Sequence, residues 1–401
     1  MPSKISPTIA LLGVLLVCAI ATQLRTALSW GHESYQITDW LINYAGGFVR
    51  RGLPGTIIGF LSEATGIQAN HLAISASLAF YLFLVIWFLR RAGSAFPLSL
   101  ILSCIVMGFP GYQDIVRKDC LGLVLLLGCL KAQDSGLPRF ASLLIVNLLA
   151  ALAILSHETF VFFALPALVL LSRPRDVAKS PRDLLFRSLA LAPAVLVFLL
   201  VACYHGTPAI ATAVHESWMP LWKTLAPDQA IIEPAASIAA LGWTSEQGLY
   251  LSTYMLTSGL YQPLCWVTVF AISFLLIVLF TGRDENPSTR METKARVTAL
   301  LVAQFVFISP LFILGVDYGR WLFLWLASSI MLHICERRAP KWLEATVSQV
   351  FKRLKISVVL ARVPAKDWYL LFFGVPVIWN IHNFMIASPV IRHLDLVHSW
   401  F

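Results

Sequence analysis

Four short stretches of an otherwise apolar chain set acids and bases side by side: Asp39 ahead of Arg50 and Arg51, then Arg117-Lys118-Asp119, His157-Glu158, and Asp317-Tyr318-Gly319-Arg320. Together these residue types suit transfer chemistry on a phosphate-bearing substrate. Arginine grips phosphate or pyrophosphate bidentately. A carboxylate deprotonates an acceptor hydroxyl as general base, and cations stabilise the charge that grows on a departing phosphate. Asp39, Asp119 and Glu158 are the candidate catalytic acids. Arg50, Arg51, Arg117, Lys118, His157, Asp317, Tyr318 and Arg320 are the candidate substrate ligands. No metal site and no cofactor are expected: position 161 is Val, so His157-Glu158 does not open an H-E-x-x-H zinc motif, and no Gly-rich nucleotide loop is present.

The elements that must position these groups follow from composition and hydropathy. Of 401 residues 58% are hydrophobic and 13% charged, against about 25% charged in soluble domains. The chain therefore reads as all-α, a polytopic transmembrane helical bundle, with residues 1–401 forming a single integral-membrane domain. The net charge of +9 fits basic cytoplasmic loops better than nucleic-acid binding. Seven cysteines without a C-x-x-C pair indicate neither a disulfide framework nor a zinc site. The first apolar run lacks a small-x-small cleavage site and reads as a retained anchor.

A spanning helix needs about 20 apolar residues. On that scale about 11 spans are expected, near 7–28, 72–89, 95–112, 118–132, 140–156, 158–172, 187–204, 256–281, 297–315, 320–335 and 368–387. With the N-terminus cytoplasmic, the inner side takes 22 of the 30 basic and 9 of the 21 acidic residues, a balance of +13 against −4 outside. That follows the positive-inside rule. All four charged clusters then lie on the outer side, and the apolar runs after three of them are short, so those charges sit at or below the outer interface around a wet cavity.

The first outer loop spans 29–71, with a Gly46-Gly47 break and an interfacial or re-entrant helix over 53–70. The large outer loop, 205–255, reads as a cap resting on the outer leaflet through Trp218, Trp222 and Trp243. The basic amphipathic segment 336–366 suits the anionic inner leaflet. Each charged cluster also has a plainer use: a helix cap at His157-Glu158, snorkelling at Arg117-Lys118, a local i,i+3 pair at Asp317 and Arg320, and lipid-phosphate contact at Arg50-Arg51. The plain use must hold four times over on one face.

The layout resembles the GT-C superfamily of integral-membrane glycosyltransferases and the bacterial polysaccharide (O-antigen type) polymerases related to them. The matching features are an acid in the first outer loop (Asp39 or Glu33), Asp114 or Asp119 beside Arg117-Lys118, the His157-Glu158 turn, the large outer loop and Asp317-Tyr-Gly-Arg-Trp321. The chain departs from the pattern in having Glu33 and Asp39 six apart instead of an Asp-Asp or Glu-x-Asp element, and in ending soon after its last span. The resemblance implies a bacterial inner-membrane enzyme that transfers sugar from a polyprenyl-phosphate-linked glycan (undecaprenyl phosphate as carrier) at the periplasmic face, with Asp39 as base and Arg117, Lys118 and Arg320 on phosphate. Membrane lipids are the other expected partners, and nucleic acid is not one. The competing reading is a transporter or flippase for a lipid-linked or anionic substrate. That reading calls for ionisable groups at mid-membrane and paired broken helices; His333 and His382 are the only histidines placed within the expected spans.

Overall fold

The computed structural model describes residues 6–29, 31, 34–93, 95–108, 115–171, 181–225, 227, 233–257, 263–356, 362–375, 388 and 390. Among them every regular element is helical. The first half holds α1 (Pro7–Leu28), α2 (Tyr35–Trp40), α3 (Gly52–Thr65), α4 (Ala69–Arg91), α5 (Leu98–Leu102), α6 (Asp119–Asp134), α7 (Arg139–Ser156), α8 (Phe160–Phe163) and α9 (Leu165–Leu170). There follow α10 (Pro181–Ala190), α11 (Ala192–Cys203), α12 (Pro208–Ser217), α13 (Met219–Leu225), α14 (Ala236–Ala239), a 3-10 turn at Ala240–Gly242 and α15 (Ser245–Thr257). The last third holds α16 (Pro263–Phe280), α17 (Pro287–Leu314), α18 (Tyr318–Ile334), α19 (Lys341–Arg353) and α20 (Tyr369–Phe372).

Among the described residues four helices are long and apolar enough to cross a membrane: Pro7–Leu28, Ala69–Arg91, Arg139–Ser156 and Thr289–Leu314. A fifth candidate is the pair Arg182–Ala190 and Ala192–Cys203, bent by 58°. Eleven spans are expected from hydropathy; among the described residues four helices, or five with the bent pair, reach the length a crossing needs, and Phe160–Leu170 and Leu264–Phe280 are apolar but shorter. The last expected span, 368–387, lies mostly outside the described residues, as do Glu33, Asp114 and His382.

The core is built around α18. Every residue from Gly319 to Leu332 is buried, the mark of a helix enclosed on all sides. It runs back along α17, and Trp325 donates its indole N–H to the Leu301 carbonyl at 2.7 Å. Gln304 of α17 donates from Nε2 to both the Phe163 carbonyl (2.6 Å) and Ser328 Oγ (2.9 Å), so its amide N–H groups are met inside this apolar bundle. Two ion pairs set α6 alongside α18. Arg320 meets Asp119 where both helices begin, and Arg337 meets Asp134 at 2.8 Å where both end. The two helices therefore run parallel, tied at both ends over about 22 Å at 1.5 Å per residue.

The segment between α1 and α3 folds back on itself, and α3 follows it. Arg51 adopts the left-handed region (φ 63°) to start α3. Pro54 sits in the first turn, where its missing N–H costs nothing. The helix is 14 residues, too short to span, and leaves Ile57, Phe60 and Leu61 exposed, as an interfacial helix would. Its start presses against the chain at 41–44: a Cβ on Gly55 would run into the Ile42 carbonyl oxygen, and one on Gly52 into the Tyr44 ring.

The segment 205–255 packs as a cap over α2, but two of its three tryptophans point inward. Trp218 donates to the Leu41 carbonyl at 2.7 Å and Trp222 to the His215 carbonyl at 3.1 Å, and both are buried. Only Trp243 is exposed. The expected leaflet contact through all three gives way because an indole N–H with a buried carbonyl at hand gains more from packing inside.

A methyl group at Gly55 cannot be housed without moving backbone, so Gly55→Ala should destabilise the protein by about 1–3 kcal/mol. Gly13→Ala on α1 meets open space and should be neutral or slightly stabilising. Thermal unfolding of the two purified variants in detergent checks the contrast.

Candidate functional site

Asp39 rides on α2, a six-residue helix capped by Ser34, whose Oγ accepts from the Ile37 N–H. The cap over α2 holds it in place: the Ser237 N–H donates to Thr38 Oγ1 (3.1 Å), and the Ser237 hydroxyl donates to the Tyr35 carbonyl (2.7 Å). The carboxylate meets two cations. Arg51 Nη1 lies 3.1 Å from Oδ1, and Lys118 Nζ lies 3.2 Å from Oδ2 while also donating to the Asp39 backbone carbonyl at 2.8 Å. Lys118 precedes α6 and its side chain is wholly buried.

Arg51 also holds Glu158 through Nε at 2.9 and 3.1 Å and through Nη2. This bidentate grip accompanies the left-handed backbone at Arg51, a conformation that costs a non-glycine residue on the order of 1–2 kcal/mol. Arg50 stands behind, with Nη1 4.0 Å from Glu158 and Nη2 on the Ala240 carbonyl at 3.2 Å. Its Nε is buried without a hydrogen-bond partner among the described residues.

The second half of the site is drier. Arg320 opens α18, where the helix N-terminus disfavours a cation, and three groups offset that. Asp119 accepts from Nε and Nη2, both at 3.0 Å, Asp317 accepts from Nη1 at 2.8 Å, and His157 Nε2 lies 3.2 Å from Nη2. Guanidinium only donates, so His157 Nε2 must carry the lone pair. The ring proton then sits on Nδ1 and points at Thr159 Oγ1 at 3.0 Å, a tautomer that gives up the weaker 3.4 Å contact from the Thr159 backbone N–H. Arg117 stacks over the Tyr35 ring at 5.6 Å and adds its field to Asp317.

Ionisation follows this packing. Burial pushes the Asp39 carboxyl up, yet Lys118 and Arg51 outweigh it and hold it below the usual range. Burial likewise raises Asp317, and Arg320 and Arg117 pull it down. Burial lowers Arg51, but Glu158 and Asp39 keep it charged. His157 is held neutral by burial first and by Arg51 second, in agreement with its single lone pair toward Arg320.

All but one of the candidate residues are thus brought into one network. Tyr318 instead packs its ring on Trp266 and Phe312. Five cations (Arg50, Arg51, Arg117, Lys118, Arg320) face four carboxylates (Asp39, Asp119, Glu158, Asp317). The network has a dry floor and a wet rim: the side chains of Asp119 and Lys118 are 0% exposed, against 19% for Glu158, 28% for Asp317 and 29% for Arg50. Thr159 and the Ala240 carbonyl belong to the site, and no charge or spacing in the sequence announces either. No three His, Cys, Asp or Glu side chains among the described residues are grouped as metal ligands.

Comparison of the chain with protein-family models, curated proteins and solved structures finds no match. Fold and site define an all-helical protein with several helices able to cross a membrane and one buried acid–base network where α6 and α18 begin and α7 ends.

Removing one partner of a buried pair strands the other, at about 3–5 kcal/mol. Arg320→Ala should cost that much, and Asp119→Asn nearly as much. The double variant should cost clearly less than the sum, because neither charge is then left alone. Thermal unfolding of the three variants closes the cycle.

Proposed function

We propose that this chain is an integral-membrane glycosyltransferase or repeat-unit polymerase of GT-C type. In this reading it takes sugar from a polyprenyl-phosphate-linked donor at the outer face of a bacterial inner membrane, with the N-terminus cytoplasmic and about eleven crossings. The observation that carries the proposal is the convergence of four charged segments, 79 to 201 residues apart across the contacts that join them, into one network with a dry floor and a wet rim.

The chemistry then follows from which ion pairs sit at the rim. Glu158 is the most accessible acid on the arginine pair, and a donor phosphate, with more charge and more acceptor oxygens, displaces it from Arg50 and Arg51. Arg51 turns toward the phosphate, its hold on Asp39 weakens, and Asp39 regains strength as a base. Asp39 takes the proton of the acceptor hydroxyl as that oxygen bonds to the anomeric carbon. The bond from that carbon to the phosphate oxygen breaks, and its electron pair leaves on the phosphate, whose growing charge Arg50 and Arg51 stabilise. Arg320, Asp119 and His157 hold the floor rigid beneath.

The transporter reading draws on the 58° break between α10 and α11. It needs a second, related break, and none of the other helix pairs among the described residues passes the same test.

Asp39→Asn should lower release of polyprenyl phosphate from a lipid-linked sugar donor by at least about 100-fold in membranes with normal protein abundance. Glu158→Gln should tighten polyprenyl-phosphate binding about tenfold, the worth of one charge-assisted contact. Undiminished turnover in Asp39→Asn would remove the catalytic assignment. Orientation is read separately, with the exposed Cys18 and Cys203 replaced by Ser. Trp243→Cys should react with a membrane-impermeant maleimide in intact cells, and Trp342→Cys on α19 only after permeabilisation.

A further inference from the structure

A groove of about 650 Å³ lies between α3 and the corner where α12 meets α13, outside the ion network. We infer that it binds a neutral carbohydrate chain. The groove falls within the roughly 300–1,000 Å³ typical of sites for ligands of several rings.

Its lining argues the class. Among the described residues no lysine or arginine borders it, and Glu63 is the one charged residue of its lining. An anion such as a phosphate or nucleotide finds no counter-charge there, in contrast with the cation-rich network a few residues away. Three aromatics contribute: Tyr44, Phe60 and Trp218. Phe60 is 70% exposed, and the Tyr44 ring is fixed by stacking on Phe48 at 5.6 Å. Such faces meet the C–H surface of a pyranose ring. Between them stand small polar groups whose hydrogen-bonding capacity is only partly used. Asn43 donates to Ser217 Oγ at 2.9 Å, and Thr56 Oγ1 accepts from the Tyr44 N–H at 3.2 Å. Ser62 donates to the Ile67 carbonyl at 2.7 Å and keeps its oxygen lone pairs. Glu63 forms no ion pair with any described residue, so both its oxygens are open to the paired hydroxyls of a sugar.

An acyl chain is the alternative occupant of an outer-face groove. It would take Asn43, Thr56, Ser62 and Glu63 out of water without replacing their hydrogen bonds, at about 1–3 kcal/mol for each neutral group and more for the carboxylate. A glycan replaces them.

The groove also adjoins the network. Tyr44 and Thr56 flank the turn that carries Arg50 and Arg51, and Asn43 follows Asp39 by four residues. Occupancy by sugar stands on the groove's own residues. That the bound glycan is the acceptor, its terminal hydroxyl directed toward Asp39, rests on the glycosyl-transfer reading. A binding measurement without turnover tests the first and leaves the second to the activity of Asp39→Asn.

The experiment titrates the full chain, purified into nanodiscs, with three neutral tetrasaccharides (maltotetraose, cellotetraose and chitotetraose), read by saturation-transfer NMR and tryptophan fluorescence. Inorganic phosphate serves as competitor. At least one tetrasaccharide should bind saturably and without competition from phosphate. Phe60→Ala and Glu63→Gln, both at exposed positions that spare the core, should each weaken that binding at least about tenfold, a loss of about 1.4 kcal/mol. Failure of all three sugars to bind, binding indifferent to both substitutions, or a phospholipid that co-purifies with the wild type and is lost in Phe60→Ala would each overturn the inference.

Discussion

The rest of the structure depends on one pair of charges taken out of water. Arg320 and Asp119 face each other through two hydrogen bonds at the start of two buried helices, with side chains 4% and 0% exposed. Desolvating such a pair is costly, and attraction repays it only when the remaining donors are also met. Here Asp317 and His157 take up the guanidinium's other edges. The pair fixes the rotation and depth of α6 against α18, and Arg337 with Asp134 repeats the device at the far end. Dispersion contacts alone would leave two Leu-rich helices free to slide by a turn. Two ion pairs at matched ends leave one register.

From this dry floor the charges grade toward water. Lys118 and Asp39 are buried but share their hydrogen bonds with backbone; Arg51, Glu158 and Arg50 are progressively wetter. A group at the floor exchanges partners only if the helices part, whereas a group at the rim exchanges them for a ligand. The left-handed turn at Arg51 places one guanidinium on both sides of this divide, touching Asp39 below and Glu158 above. That double contact is the physical reason a ligand at the rim would be felt by the acid beneath it.

The cap shows the same economy of polar groups. Trp218 and the α2 backbone are joined by the bond to Leu41, and Asn43 and Ser217 extend the seam. The loop that hydropathy assigns to the leaflet is therefore structural first: it closes over α2 and holds Asp39 where Arg51 and Lys118 can reach it. The groove beside α3 forms along the same seam.

Much of this was legible in the residues themselves. The low charge and long apolar runs determined a helical chain with several helices able to cross a membrane, because a backbone in apolar surroundings must satisfy its own hydrogen bonds. Clusters of acid and base at the ends of apolar runs marked every side chain of the network except Thr159, since charges so placed are expensive unless paired. The length of the α3 segment likewise marked it as non-spanning. Pairing was not legible. Asp317 and Arg320 are neighbours in sequence and do meet, but Arg320 meets Asp119 as well, 201 residues away, and Arg51 chooses both Asp39 and Glu158. Nor could composition tell a tryptophan at a leaflet from one bonded to a buried carbonyl. Local sequence determines which groups must find partners. Only the packing of α6 against α18, and of the cap against α2, decided which partners they found, because an ion pair depends on distances that hydropathy and spacing along the chain do not contain.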